Sequence, residues 1–121
     1  MSSSAIAPSR WRAPSSRPPA DRRRRLRHVV IGVRSYELHL PGAHSLKDKR
    51  SVLKSLKDRL HNEFNVSVAE TGRHDAWQSA ELTICLVSTE QRHAASVLES
   101  VDRFVESNPL CRIVDTATSF L

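Results

Sequence analysis

Apolar and polar positions alternate, then turn helical, then alternate again along this chain, and the cycle runs twice between residues 29 and 121. Val29 to Leu40 begins β-branched and ends with Tyr36, Leu38 and Leu40 on one parity and Ser35, Glu37 and His39 on the other, which predicts a first strand. Ile31 and Val33 fall on the opposite parity, so this strand is expected either to be covered on both faces there or to carry a bulge near Arg34. Pro41-Gly42 ends it. Ser45 with Asp48 reads as an aspartate variant of a capping box, opening a helix to about Asn62 in which Leu46, Val52, Leu53, Leu56 and Leu60 share one side. Phe64 to Thr71 alternates again, and Ala80 to Ser88 does so most regularly. Ser88 with Gln91 suggests a second capping box, and Ala94, Val97, Leu98, Val101, Phe104 and Val105 mark a second amphipathic helix that Asn108-Pro109 stops. Leu110 to about Thr118 supplies the last strand.

The order β-α-β-β-α-β defines an α+β, ferredoxin-like split β-α-β fold. It is expected to be a four-stranded antiparallel sheet, spatial order 4-1-3-2, with two helices on one face. Only residues 29–121 take part. Residues 1–28 are rich in Arg, Ser and Pro and poor in large apolar side chains, so they are expected to form a disordered leader rather than part of the domain.

Charge changes the picture only when it is divided. The chain carries +6, yet residues 1–27 hold eight arginines against Asp21 alone, leaving residues 28–121 at −1. Any affinity of the domain for a polyanion must therefore come from a local patch and not from its net charge. Two cysteines, Cys85 and Cys111, with no secretory signal suggest a reducing compartment and side chains in or near the core. On the expected strand order they lie too far apart for a disulfide. No apolar run approaches the length of a membrane span, so a soluble, cytoplasmic protein is expected.

The segment from Glu37 to Arg50, ELHLPGAHSLKDKR, continued by SVLKSLKDRL, resembles the YlxP-like family of small bacterial proteins of unassigned molecular function. FNVSVAE at 64–70, Trp77, AEL at 80–82 and FVE at 104–106 extend the resemblance across residues 29–121. The resemblance implies a ferredoxin-like fold. It also implies gene neighbours that encode a transcription elongation factor, translation initiation factor two and a ribosome-binding factor, and hence a place in ribosome assembly or translation. Members usually begin near the position of Val29, so the arginine-rich leader departs from the family pattern and its translation in the cell is open.

Several residues carry candidate chemistry. Lys47, Arg50, Lys54, Lys57 and His61 recur at helical spacing and form one basic stripe, the best candidate for contacting ribosomal RNA phosphates; a merely solvated face is the bland alternative. Lys49 falls in the middle of the apolar side, where it is expected either to snorkel past the sheet edge or to point toward His44 as part of an anion or partner site. Glu37, His39, Glu81 and Thr83 are expected on the uncovered sheet face, as a homodimer surface or an acid and base cluster. No nucleophile with an orienting base accompanies them, so the expectation is a non-enzyme with no catalytic residues, cofactor or metal. The same face lacks the aromatics on which ferredoxin-like RNA-recognition domains stack bases. Trp77, in the polar loop before the third strand, is either folded onto the domain edge or an interface anchor. Three functions stay open: a ribosome- or rRNA-associated factor, a homodimeric interaction module, and an enzyme acting at the open sheet face.

Overall fold

The computed structural model describes residues 28–121. Its elements are β1 (Val30–His39), α1 (Leu46–Glu63), β2 (Ser67–Gly72), β3 (Ser79–Ser88), α2 (Gln91–Glu106) and β4 (Arg112–Phe120). The strands form one antiparallel sheet in the order β2-β3-β1-β4. This is the expected ferredoxin-like arrangement. The disordered leader expected at residues 1–28 lies outside the described residues, apart from His28.

The alternation seen in the sequence becomes burial. Tyr36, Leu38 and Leu40 on one side of the first strand and Ala80, Leu82, Ile84 and Leu86 of β3 meet Leu53, Leu56 and Leu60 of α1 and Ala94, Leu98, Val101 and Val105 of α2. Both helices therefore cover the same sheet face, and removing that apolar surface from water is the main force holding the layers together.

β1 corrects the reading of its first half. There is neither a bulge near Arg34 nor a second covering layer among the described residues. The helix-facing parity runs unbroken through Gly32, where a Cβ would stand 3.4 Å from Ala94 Cβ and 3.4 Å from Leu98 Cδ1. The missing side chain lets α2 approach, so the position reads as a gap in the apolar pattern. Ile31 and Val33 are left half-buried on the open face. The irregularity lies instead in the partner strand, where the register slips between Glu37, opposite Asp115, and Leu38, opposite Ile113, leaving Val114 as an extra residue.

Three further boundaries differ from expectation. β2 starts at Ser67 because Phe64 serves as the C-cap of α1, donating its N–H to the Leu60 carbonyl at 2.8 Å. Its ring packs edge-on against Phe104, with centroids 5.7 Å apart. The N-cap of α2 is Glu90, not Ser88, and its side chain makes no capping bond. Ser88 Oγ instead accepts the Glu90 N–H at 3.1 Å and bonds His93 Nδ1 at 3.1 Å, so the serine organises the turn one step early. β4 begins at Arg112, which places Cys111 before the strand.

Cys111 is buried under α2 and Cys85 is half-buried on the open face; both are free. Burial raises the Cys111 thiol above its ordinary pKa, which leaves less of the reactive thiolate. Iodoacetamide on the native protein is thus expected to alkylate Cys85 well before Cys111, with both reacting after unfolding. Peptide mass mapping that finds a Cys85–Cys111 bridge would contradict the strand order.

Candidate nucleic-acid interface

α1 owes its entry geometry to Ser45, whose Oγ accepts the Asp48 N–H at 3.0 Å while Asp48 Oδ2 accepts the N–H of His44 at 3.0 Å. The aspartate reaches one residue beyond the usual partner, fixing the loop as well as the helix. Leu53, Leu56 and Leu60 anchor one side of α1 in the core. That orientation turns Lys47, Arg50, Lys54 and His61 fully outward, with Lys57 half-exposed beside them. Lys54 pairs with Asp58 at 3.2 Å, an exposed i, i+4 contact worth only about 0.3–0.5 kcal/mol that does not fix the ammonium in place. The stripe is thus continuous on one rigid element. Nearby, the Arg59 guanidinium lies 5.5 Å from the centre of the Phe104 ring, tying α1 to α2.

Lys49 does neither of the things expected of it. It is 1% exposed, so it does not snorkel, and its ammonium is bonded at the loop between β2 and β3 rather than at His44. Its Nζ donates to the carbonyl oxygens of Arg73 at 2.6 Å and Ser79 at 3.1 Å, and it pairs with Glu70 Oε2 at 3.1 Å. A buried ammonium is tolerated only with such partners. Arg73 adopts φ 59, a left-handed turn conformation rarely taken by a side-chain-bearing residue, and the lysine clasps its carbonyl. Lys49 is therefore the strut joining the first turn of α1 to that loop. His44 is exposed and uses only its backbone N–H, so the two do not form a common anion site.

The same end of the domain is closed by Gln78. Its Nε2 donates to the carbonyls of Pro41 at 3.2 Å and Ala43 at 3.1 Å, and its own carbonyl accepts from Leu40 N at 2.9 Å and contacts His39 Nδ1 at 3.1 Å. Trp77 rides on this joined loop pair. At 55% exposed, the residue keeps about half of its surface in solvent.

Glu37, His39, Glu81 and Thr83 do lie on the uncovered face. Glu37 faces Glu81 across one side and Asp115 across the other, so three carboxylates stand in a row over three strands. Arg73 meets Glu37 at 3.2 Å. Ser35, Thr83 and Thr71 form a chain of hydroxyl contacts at 2.8 Å each, ending where Thr71 donates to Glu81 Oε1 at 2.7 Å. His39 turns to the Gln78 carbonyl and not toward the carboxylates. The face is consequently a carboxylate-rich, internally bonded surface, on which the Thr71 hydroxyl donates to a carboxylate. Among the described residues no group of three or more His, Cys, Asp and Glu is placed to hold a metal ion.

One network escaped the sequence reading. Arg34 points into the helix side of the sheet, where Nη1 pairs with Asp102 Oδ2 at 2.5 Å and Nε donates to Thr118 Oγ1 at 2.8 Å, while the buried Tyr36 hydroxyl donates to the other oxygen of Asp102. Burial, reinforced by the hydrogen bond to Asp102, pushes Tyr36 far above the usual phenol range. For Arg34 burial works in the opposite sense, but the bond and charge of Asp102 outweigh it and the pKa rises. Since the folded state holds the phenol proton more tightly than the unfolded chain, stability is intact below pH 10 and is lost as pH climbs past it, by about 1.4 kcal/mol per unit. Tyr36 is the sole tyrosine, so tyrosinate absorbance reports it alone. The expected result is no ionisation until the protein unfolds, and a shallower alkaline loss of stability in Tyr36→Phe. Ionisation near pH 10 in the folded protein would contradict the network.

Fold and surface together define a small ferredoxin-like domain with a basic helix on one face and an acidic sheet on the other. Residues 31–118 match the family model described as "Protein of unknown function (DUF503)", and the chain belongs to that family. It is 39% identical over 80 residues to the uncharacterized protein YlxP of Bacillus subtilis strain 168, covering 66% of this chain and 87% of that one. Among solved structures, a Bacillus cereus protein named as a candidate antibiotic biosynthesis monooxygenase overlaps 78% of this chain and 91% of its own with a TM-score of 0.39 at 10% identity. A de novo designed protein with a ferredoxin fold overlaps 76% of this chain and 82% of its own with a TM-score of 0.40 at 14% identity. Among the described residues no helix is long and apolar enough to cross a membrane.

Proposed function

We propose that this domain is a non-enzymatic, RNA-contacting factor of ribosome assembly or translation that seats the basic face of α1 on RNA phosphates. The observation that carries the reading is the placement of Lys47, Arg50, Lys54, Lys57 and His61 on the outer side of a helix locked into the core, with the carboxylates of Glu37, Glu81 and Asp115 on the opposite side of the molecule. Such segregation gives a near-neutral domain a strong local field and orients it toward a polyanion. Several cations on one rigid element pay little ordering entropy on meeting successive phosphates, and phosphate contacts confer position without sequence preference. The sheet face, with no exposed aromatic, is unsuited to base stacking. The translational setting comes from the family resemblance.

A second reading, a homodimeric interaction module in the cytoplasm, draws on the half-buried Ile31 and Val33 and the exposed Val87 on the open face. Sedimentation of a lysate through a sucrose gradient separates the two. Comigration of the native protein with ribosomal particles supports the first, and its confinement to the free fraction at all salt concentrations refutes it.

A further inference from the structure

The two edges of the sheet are treated differently. β2 is six residues long, is interrupted by a register shift at its end, and is held by the Lys49–Glu70 pair. β4 is nine residues long and mostly exposed on both faces. Of the large exposed hydrophobics among the described residues, Leu110, Val114 and Leu121 lie on or beside β4, at 55%, 59% and 74% exposed.

The direction of its unpaired backbone follows from the ladder. Ile31 and Leu121 exchange both backbone bonds, at 3.1 and 2.8 Å, so Leu121, Ser119 and Ala117 direct their N–H and C=O groups inward to β1. By alternation, Phe120, Thr118 and Thr116 direct theirs outward. Asp115 Oδ1 accepts the Thr116 N–H at 2.9 Å, blunting the edge at the bulge. From there to Leu121 the strand carries no charge and no proline, the usual protections of an open edge.

We propose that the outer edge of β4 is a self-association surface on which a second copy of this chain adds its own β4 antiparallel, joining two four-stranded sheets into one. A two-fold axis through Thr118 sets Thr118 against Thr118, Thr116 against Phe120 and Ala117 against Ser119. Outward groups then meet outward groups, and Thr–Thr and Thr–aromatic pairs are favourable cross-strand neighbours. Charge matching selects the occupant: a neutral strand meets a neutral strand. The chain's own residues 1–27, with eight arginines and the prolines Pro8, Pro14, Pro18 and Pro19, would bring unmatched cations and residues lacking an N–H to the same edge. Set against the ~1,000 Å² that a specific interface buries, one strand pair is small, so the dimer is weak and concentration-dependent.

Sedimentation velocity of the full chain over a concentration series tests this. The wild type should shift from monomer to dimer. Thr118→Pro removes an outward N–H, together with the hydroxyl that accepts from Arg34 Nε, and should raise the dimer dissociation constant about tenfold or more with the far-UV circular dichroism unchanged. If that variant does not fold, A117K/S119K, which opposes lysines across the axis, should have the same effect. A chain that stays monomeric throughout, a dimer indifferent to the variants, or a dimer abolished by changes at His39 and Thr83 instead would each overturn the proposal.

Discussion

Lys49→Met is expected to lower the unfolding free energy by about 3 kcal/mol, because removing the ammonium leaves the Glu70 carboxylate and the carbonyls of Arg73 and Ser79 without their partner in a water-poor pocket. The lysine stem is matched by methionine, so the cost is electrostatic and not a cavity. Glu70 is still 18% exposed, which keeps the effect at the lower end of what breaking a buried pair costs. Lys47→Met, two residues away on the exposed face, should change stability by no more than about 0.5 kcal/mol. Equilibrium urea unfolding of the two variants reads the difference directly. Equal midpoints would mean that Lys49 is solvated, contrary to its place in the fold.

The contrast between these lysines shows how far the sequence could be read. Helical spacing placed Lys47 outward and Lys49 inward correctly, since angle around a helix depends only on residue number. What it could not supply was the destination of Lys49, because Arg73 and Ser79 come near it only once β2 and β3 have paired beside α1. The same reason explains Arg34. Its parity was masked by Gly32, and its partner Asp102 lies far along the chain on α2. Strand alternation located Glu37, His39, Glu81 and Thr83 on one face, but the third carboxylate of the row, Asp115, sits beside a bulge that no local pattern marks. Periodic, local features were therefore legible, whereas ion pairs between distant elements were not. A lysine in the middle of an apolar helical face was the one signal that such a pair existed.

The basic face of α1 bears the functional reading, and its test is the salt dependence of binding to total ribosomal RNA, measured on chain lacking residues 1–28 so that the leader's arginines contribute nothing. Neutralising Lys47, Arg50, Lys54 and Lys57 together should weaken binding by about two orders of magnitude at low salt and leave the unfolding transition in place. Each lost phosphate contact removes about 0.7–0.9 from the slope of log K against log salt, so the four together should flatten it by about 3. Changing Glu37 and Glu81 to glutamine should leave that slope as it was. Binding and slope unaltered in the four-residue variant would contradict the account and leave the domain a protein-interaction module.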